Sequence, residues 1–154
     1  MSKSNAVTLI LFVVLTVAGG SLVGFFSMPG PWYAALTKPW FNPPNWIFGP
    51  VWTALYILIG ISGARVWIRD RHGPLPRLWF TQIALNFLWP LVFFTARRPD
   101  LALVVLAGML VSILAFIALA WRRDRPSALM FLPYALWVSF AGLLNATIWW
   151  LNPV

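Results

Sequence analysis

The sequence has no cysteine and no glutamate, and its only acidic residues are three aspartates among 154 positions. The missing cysteines exclude disulfide bonds, thiolate nucleophiles and cysteine metal sites. The aspartates, Asp70, Asp100 and Asp124, lie between apolar segments, and the single histidine, His72, lies in a charged linker. Catalysis by paired carboxylates or by a catalytic triad would therefore have to use linker residues, and we expect no metal site.

Charge is also scarce, because only 9% of the residues are charged while 61% are hydrophobic. Soluble domains carry about 25% charged residues, so most of this surface must face something other than water. The net charge of +8 could indicate a nucleic-acid partner. The basic residues, however, cluster in short linkers, which in a membrane protein indicates topology, and we expect no nucleic-acid partner.

Five apolar segments are long enough to cross a bilayer as helices. They cover residues 6–26, 46–68, 78–96, 101–121 and 127–151. The sequence therefore predicts an all-α membrane protein, a five-helix bundle with antiparallel neighbours, forming a single domain over residues 1–154. The first apolar run continues to Met28, longer than the apolar part of a signal peptide, so we expect an uncleaved helix.

Basic residues predict the orientation of the bundle. Eight lie on the side of the amino terminus and three on the other: Lys3, Arg65, Arg69, Arg71, Arg77, Arg122, Arg123 and Arg125 against Lys38, Arg97 and Arg98. The positive-inside rule places the amino terminus in the cytoplasm if the membrane is an inner membrane.

The linker between the first two spans, "LTKPWFNPPNWIFGPVW" at 36–52, contains four prolines and five aromatic residues. Proline stops helices and restricts φ, so we expect a stiff segment without regular structure that closes over the helix ends as a lid. Its alternative is an interfacial belt of aromatic residues. For Trp32, Tyr33 and Trp40 the sequence leaves belt and ligand contact equally open.

Polar and aromatic side chains recur at helical spacing within the spans, which predicts an inward-facing cavity. The residues are Trp52 and Tyr56 in the second span, Gln82, Asn86 and Trp89 in the third, and Tyr134, Trp137, Ala141 and Asn145 in the fifth. Such a cavity suits a flat, apolar ligand with a polar edge. The alternative for Asn86 and Asn145 is that they only join helices by hydrogen bonds.

No ionisable group lies in the middle of a span, which argues against an ion-coupled pump. Axial ligation of haem iron could come only from Met109, Met130 or a tyrosine, whereas stacking of a porphyrin needs no axial ligand, so no cofactor is required. Gly20 and Gly24 form a GxxxG pair. Packing within one chain is the more common use of such a pair, so it is weak evidence for a dimer, but we predict a homodimer that uses this small-residue face.

With these residues identified, the chain resembles the TspO/MBR family of tryptophan-rich sensory proteins. "WYAALTKPWFNPPNWIFGPVWTALY" is similar to the family's first loop and second helix, "ALNFLWPLVFF" to its third helix and "LPYALWVSFAGLLNATIWWLN" to its fifth. The resemblance implies a dimeric five-helix bundle in the lipid membrane that binds porphyrins such as protoporphyrin IX and drug-like small molecules.

The resemblance also implies a site between the first loop and helices two, three and five, with Tyr33, Pro43, Trp52, Asn86, Trp89, Trp137 and Ala141 at its pocket positions. It implies that Trp52 and Trp137 would act in light-dependent porphyrin degradation, if the protein is an enzyme. The end of the fifth helix lacks the basic residue of the sterol-recognition motif. We therefore expect a porphyrin receptor or sensor, with an enzyme or a passive transporter of porphyrin or lipid-like ligands as alternatives.

Overall fold

Six α-helices form the protein in the computed structural model, which describes residues 2–153. In chain order they are α1 (Lys3–Phe26), α2 (Pro31–Ala35), α3 (Asn45–Arg69), α4 (Pro74–Pro90), α5 (Pro99–Arg123) and α6 (Arg125–Leu151), with a π-helical turn at Leu91–Thr95 continuing α4. Five are long and apolar enough to cross a membrane. The predicted all-α bundle of five spans with a structured first loop is confirmed.

Prolines mark where several helices begin and also lie inside three of them. Pro31, Pro74 and Pro99 open α2, α4 and α5, at the position where the missing N–H costs no hydrogen bond. Pro50 lies within α3. The second span, predicted over residues 46–68, is therefore confirmed with Pro50 in its early turns, where few backbone bonds are lost. The stiff segment without regular structure, predicted over 36–52, is shorter and ends before Asn45.

The helices pack in the order α1, α3, α6, α5 and α4 around the bundle, and α4 returns to α1. The core between them contains Trp79, Phe116, Phe131 and Tyr134, all with no exposed surface. Helix α1 contributes little to this core, because its buried residues are Thr16 and Gly20. Phe12 packs on Trp79, but many of the other large apolar side chains of α1, such as Leu11 and Leu22, are exposed, as expected for a helix that lies in lipid.

Helix α1 approaches α3 closely at Gly20. A Cβ atom placed on Gly20 would lie 2.2 Å from Cε2 of Tyr56, whereas one on Gly24 would meet nothing within 4 Å. Thr16 secures the same contact, since its hydroxyl donates a hydrogen bond to the Tyr56 carbonyl at 2.7 Å. Gly20 therefore packs within the chain, which is the use that the sequence favoured for such a pair, and this contact leaves it buried. The homodimer itself stays a prediction.

We expect Gly20→Ala to destabilise the bundle by about 1–3 kcal/mol, because the added methyl group forces the Tyr56 ring to move. Gly24→Ala is the matched control on the next turn of α1. It should leave the melting temperature unchanged or raise it, since alanine is favoured over glycine within a helix by about 1 kcal/mol. Thermal unfolding in detergent measures both variants, and equal melting temperatures would contradict this packing.

The linker between α5 and α6 is tied to α3 through Asp124, whose side chain is 4% exposed. Arg65 donates to it from Nη2 at 2.8 Å and from Nε at 3.1 Å, and the Ser127 hydroxyl also donates to it. Burial on its own raises the pKa of the Asp124 carboxyl, but hydrogen bonds from Arg65 and Ser127 and the charges of Arg65 and Arg69 hold that pKa below its usual value. This ion pair closes the bundle at the end that carries most of the basic residues.

We expect Asp124→Asn to lower the free energy of unfolding by about 1.5–3 kcal/mol, the contribution of hydrogen bonds to a charged group. Because its pKa is lower in the folded state, the carboxylate stabilises the fold above its unfolded pKa of about 4 and loses this effect as the pH falls through the folded value. Melting curves of the variant and the wild type should therefore converge in acid. A difference that persists in acid, or one that the exposed control Asp70→Asn reproduces, would contradict this role.

Candidate functional site

A cavity of about 590 Å³ lies at the end of the bundle that carries α2 and the loop before α3. It is bounded by α1, the loop, α3, α4 with its π turn, and α6. The sequence predicted a cavity between the loop and the second, third and fifth spans. The structure adds α1, which contributes the small residues Gly20, Ser21 and Gly24 to the wall.

Eight aromatic side chains line the cavity. Trp52 stacks on Tyr56, with ring centroids 5.4 Å apart and planes 29° apart. Trp137 meets Phe48 edge to face at 5.8 Å. These rings come from α3 and α6 and present flat faces and edges to the enclosed space, which suits a flat apolar ligand.

The π turn that follows α4 positions further aromatic rings at the cavity wall. Trp89 stacks on Phe93 with centroids 5.2 Å apart, and Phe94 lies edge-on to Tyr33 at 5.3 Å. The π turn adds a residue to the helical repeat, and both of its phenylalanines line the cavity. Tyr33 of α2 is thereby held between the loop and the end of α4.

A chain of hydrogen bonds forms the base of the cavity and joins three helices. Tyr56 on α3 donates from its hydroxyl to Oδ1 of Asn86 on α4 at 2.8 Å. Nδ2 of Asn86 donates to the Tyr134 hydroxyl on α6 at 2.8 Å, and that hydroxyl donates to Oε1 of Gln82 at 2.7 Å. Tyr56 and Asn86 line the cavity, while Tyr134 and Gln82 lie fully buried behind it.

Asn145 fixes the position of Trp89. Nε1 of Trp89 donates to Oδ1 of Asn145 at 3.0 Å, and Nδ2 of Asn145 donates to the Pro99 carbonyl at 2.7 Å. Asn145 therefore joins α4, α5 and α6, and it also lines the cavity. The sequence left open whether Asn145 lines the cavity or only joins helices. In the structure it does both, because it connects three helices and orients the Trp89 ring.

Two buried polar atoms that lie on cavity-lining residues have no hydrogen-bond partner within residues 2–153. They are Nε1 of Trp137, a donor, and Oδ1 of Asn42, assigned as an acceptor. An unpaired buried polar group costs about 1–3 kcal/mol. A ligand that supplies their partners would recover this cost, so these atoms are candidate contacts for a polar edge.

The loop over the cavity is held at two points. The Lys38 ammonium donates to the carbonyls of Tyr33 at 2.6 Å and of Leu36 at 3.2 Å, and it lies 4.4 Å above the Tyr33 ring. Asn152, after the end of α6, makes a double hydrogen bond to the backbone of Thr37: Oδ1 accepts from N–H at 2.9 Å and Nδ2 donates to the carbonyl at 2.8 Å. The loop is therefore fastened to the end of α6.

Eight of the eleven predicted ligand-binding residues line the cavity: Tyr33, Trp52, Tyr56, Asn86, Trp89, Trp137, Ala141 and Asn145. Tyr134 lies directly behind the wall and supports Asn86. Trp40 is 95% exposed, and neither it nor Pro43 is among the lining residues. The ligand contacts predicted for these two are not supported by their positions, because Trp40 projects outward from the loop, where an interfacial belt residue would lie.

Several site residues were not predicted from the sequence. Asn42, Phe48 and Phe93 line the cavity, and Lys38 and Asn152 hold the loop. The neighbouring prolines and aromatic residues marked the segment that contains Asn42 and Phe48. No signal in the sequence pointed to Asn152, because its partner Thr37 is 115 positions away in the chain.

Comparison with known proteins agrees with the resemblance found in the motifs. The family model of the TspO/MBR family matches residues 12–151. Protein CrtK of Rhodobacter capsulatus is 43% identical to this chain over 95% of each chain, and the tryptophan-rich protein TspO of Archaeoglobus fulgidus is 36% identical over 96% of this chain and 99% of its own. The translocator protein of Bos taurus is 37% identical over 80% of this chain and 76% of its own. The chain, an integral multi-pass membrane protein, therefore belongs to the TspO/MBR family.

Proposed function

We propose that the protein is a membrane receptor or sensor that binds porphyrins such as protoporphyrin IX in the cavity beneath the loop. The observation that carries this proposal is that Trp52 and Trp137, from two different helices, line one cavity that is also lined by aromatic rings from the α4 side. The volume of about 590 Å³ falls in the range of small-molecule sites, about 300–1,000 Å³. A flat conjugated ring is the ligand shape that such walls bind best.

Stacking would supply most of the affinity, at about 1–3 kcal/mol for each ring that contacts an aromatic side chain. Trp137 would also fix the orientation of the ligand, since its unpaired Nε1–H can donate a hydrogen bond to an acceptor on the ligand. Asn86 and Asn145 already use their amides in bonds to other helices. They would orient Tyr56 and Trp89 toward the ligand more than they would bind it themselves.

The loop between α2 and α3 would act as the lid of this site. Its prolines restrict the free loop and so reduce the entropy lost when it orders over a ligand. Asn42 lines the cavity from the loop, and Asn152 holds the loop against α6. The lid is shorter than predicted, because the residues from Asn45 onward belong to α3.

A second candidate function is light-dependent degradation of a bound porphyrin. It is favoured by the placement of Trp52 and Trp137 on the same cavity, where both would contact one macrocycle. Illumination of the complex in the presence of oxygen separates the two functions. If the protein is only a receptor, the porphyrin absorbance should fall equally fast with the wild type and with a Trp52→Phe, Trp137→Phe double variant. If it is an enzyme, the absorbance should fall faster with the wild type.

We further propose that the protein forms a homodimer and that, in an inner membrane, its amino terminus is cytoplasmic. Eight of the eleven basic residues lie on the side of the amino terminus, which supports this orientation by the positive-inside rule.

The dimer would use a lipid-facing surface other than Gly20, which packs on Tyr56. Because the chain has no cysteine, single-cysteine variants at His72 and Trp40 would report the side of the membrane by labelling and the dimer by crosslinking.

We expect Trp137→Ala to weaken protoporphyrin binding by about 1–3 kcal/mol, the contribution of one stacking contact. Titration of the purified protein, followed by quenching of its tryptophan fluorescence, gives the dissociation constant. Trp150→Ala is the matched control, because Trp150 is 84% exposed and lies outside the cavity lining. A folded Trp137→Ala variant that keeps the wild-type dissociation constant would remove Trp137 from the site.

We expect Asn152→Ala to speed ligand release severalfold, because the double hydrogen bond that fastens the loop at Thr37 is lost. Association should change less, as is usual for altered contacts at one site. Stopped-flow quenching after dilution of the complex measures the release rate, with Trp150→Ala again as the control. Wild-type release kinetics in Asn152→Ala would show that the loop does not act as a lid.

A further inference from the structure

A second, smaller pocket lies where the turn between α4 and α5 meets α2 and the residues that follow α6. Its volume is about 200 Å³, and the residues that line it are Trp32, Leu36, Arg97, Pro99, Asn152 and Pro153. None of these residues lines the larger cavity. Among the residues that the structure describes, Arg97 supplies the only charged side chain of this pocket. The pocket therefore places one cation among mostly apolar neighbours.

Arg97 has a backbone conformation that arginine rarely adopts. Its φ angle is 55°, the only positive φ of a non-glycine residue within residues 2–153. At the end of a helix this left-handed conformation normally belongs to glycine, which has no Cβ atom to clash with the backbone. Before the turn, the N–H of Ala96 donates to the Leu91 carbonyl at 2.8 Å. After it, the N–H of Arg98 donates to the Val92 carbonyl at 3.1 Å. These bonds require a left-handed residue at this position, but they do not require an arginine.

The charge of Arg97 is not used to hold the fold together. The ion pairs formed within residues 2–153 involve Arg65, Arg69 and Arg98, and Arg97 is in none of them. The acidic side chain closest in sequence, that of Asp100, already accepts a double hydrogen bond from Arg98. Arg97 itself is exposed. A strained backbone that presents an exposed and unpaired charge indicates a contact with a group outside the chain.

The pocket lies at the level where the helices leave the membrane. Arg97 falls in the short turn between the spans Pro74–Thr95 and Pro99–Arg123. Leu101, near the start of α5, is 48% exposed, and Trp150, near the end of α6, is 84% exposed. Each lies two residues from a residue that lines the pocket, so the lipid-facing surface begins beside it. The polar headgroups of a bilayer occupy this level, directly outside the hydrocarbon core.

The size and the chemistry of the pocket suit a small anion with several oxygen atoms. Its volume of about 200 Å³ lies below the range of about 300–1,000 Å³ for sites of drug-sized ligands. The planar guanidinium of arginine presents pairs of N–H donors whose spacing matches two oxygens of a phosphate group. Trp32, Leu36 and Pro99 are apolar neighbours that would reduce the access of water to such a pair and so strengthen it.

From these observations we infer that the Arg97 pocket binds a phosphate group, with the guanidinium as its partner. The position of the pocket at the bilayer surface favours the phosphate of a phospholipid headgroup. Free phosphate from the aqueous phase offers the same chemistry, and the experiment below separates the two sources. Because the pocket shares no lining residue with the larger cavity, this inference does not depend on the proposed porphyrin site.

Thermal unfolding of the delipidated protein in a maltoside detergent, which contains no phosphate, tests this inference. A ligand that binds only the folded state raises the melting temperature with its concentration, and the titration gives a dissociation constant. The ligands are short-chain phosphatidylglycerol, the diacylglycerol with the same chains, and inorganic phosphate compared with chloride at equal ionic strength. We expect phosphatidylglycerol to raise the melting temperature of the wild type and the diacylglycerol to have a clearly smaller effect.

Arg97→Asn should raise the dissociation constant of phosphatidylglycerol about tenfold, because a charge-assisted double hydrogen bond is lost. Asparagine tolerates the left-handed conformation, so this variant should fold. Arg122→Asn is the matched control, since it removes the same charge from an exposed residue at the other end of the bundle and should keep the wild-type dissociation constant. Whichever of the lipid and inorganic phosphate loses affinity in Arg97→Asn is identified as the source of the phosphate group.

Arg97→Gly separates binding from folding. Without ligand it should melt at or above the wild-type temperature, because glycine adopts the left-handed conformation without strain, and it should lose the response to the lipid. A glycine variant that melts clearly below the wild type would show that the arginine serves the fold, and the inference is then overturned. It is also overturned if neither phosphate ligand raises the melting temperature of the wild type, if the diacylglycerol acts as strongly as phosphatidylglycerol, or if Arg97→Asn binds no more weakly than Arg122→Asn.

Discussion

The hydrogen-bond chain from Tyr56 through Asn86 and Tyr134 to Gln82 sets the geometry on which the rest of the site depends. Its members lie within helices that cross the membrane, where an unpaired polar group is costly. Rotation of α3, α4 or α6 about its own axis would break at least one of these bonds. The chain therefore determines which faces of the three helices point inward, and the cavity is the space left above it.

The cavity exists because small and bulky residues alternate at defined levels along the bundle axis. Gly20 lets α1 approach the Tyr56 ring, so the wall is closed where the hydrogen-bond chain begins. One turn further along α1, Gly24 has open space beside it and lines the cavity. On the opposite side Pro90 removes a backbone donor from α4, and the π turn that follows places Phe93 against Trp89. A straight α-helix would present a different residue there.

The spans and much of the site could be predicted from the sequence because both depend on local periodicity. Residues three and four apart share a helix face, so Asn86 and Trp89 on one helix and Trp137 and Ala141 on another were placed together correctly. Periodicity contains no information on contacts between distant segments or on which way a loop residue points. The pairing of Asn152 with Thr37 was therefore missed, and the exposed Trp40 could not be distinguished by its type from a lining tryptophan.

The pattern of hydrogen-bond satisfaction separates residues that build the bundle from residues that can receive a ligand. Asn86 and Asn145 are each bonded to two other helices through both the oxygen and the nitrogen of the amide. A ligand could use only the second N–H or the second lone pair of these groups, because the first holds the fold. Gln82 has an unpaired Nε2 behind the wall, which lowers stability whether or not a ligand is bound. Trp137 and Asn42 leave their unpaired atoms on residues that line the cavity, so binding can recover that cost. Ligand recognition and bundle stability are thereby assigned to different side chains of one site.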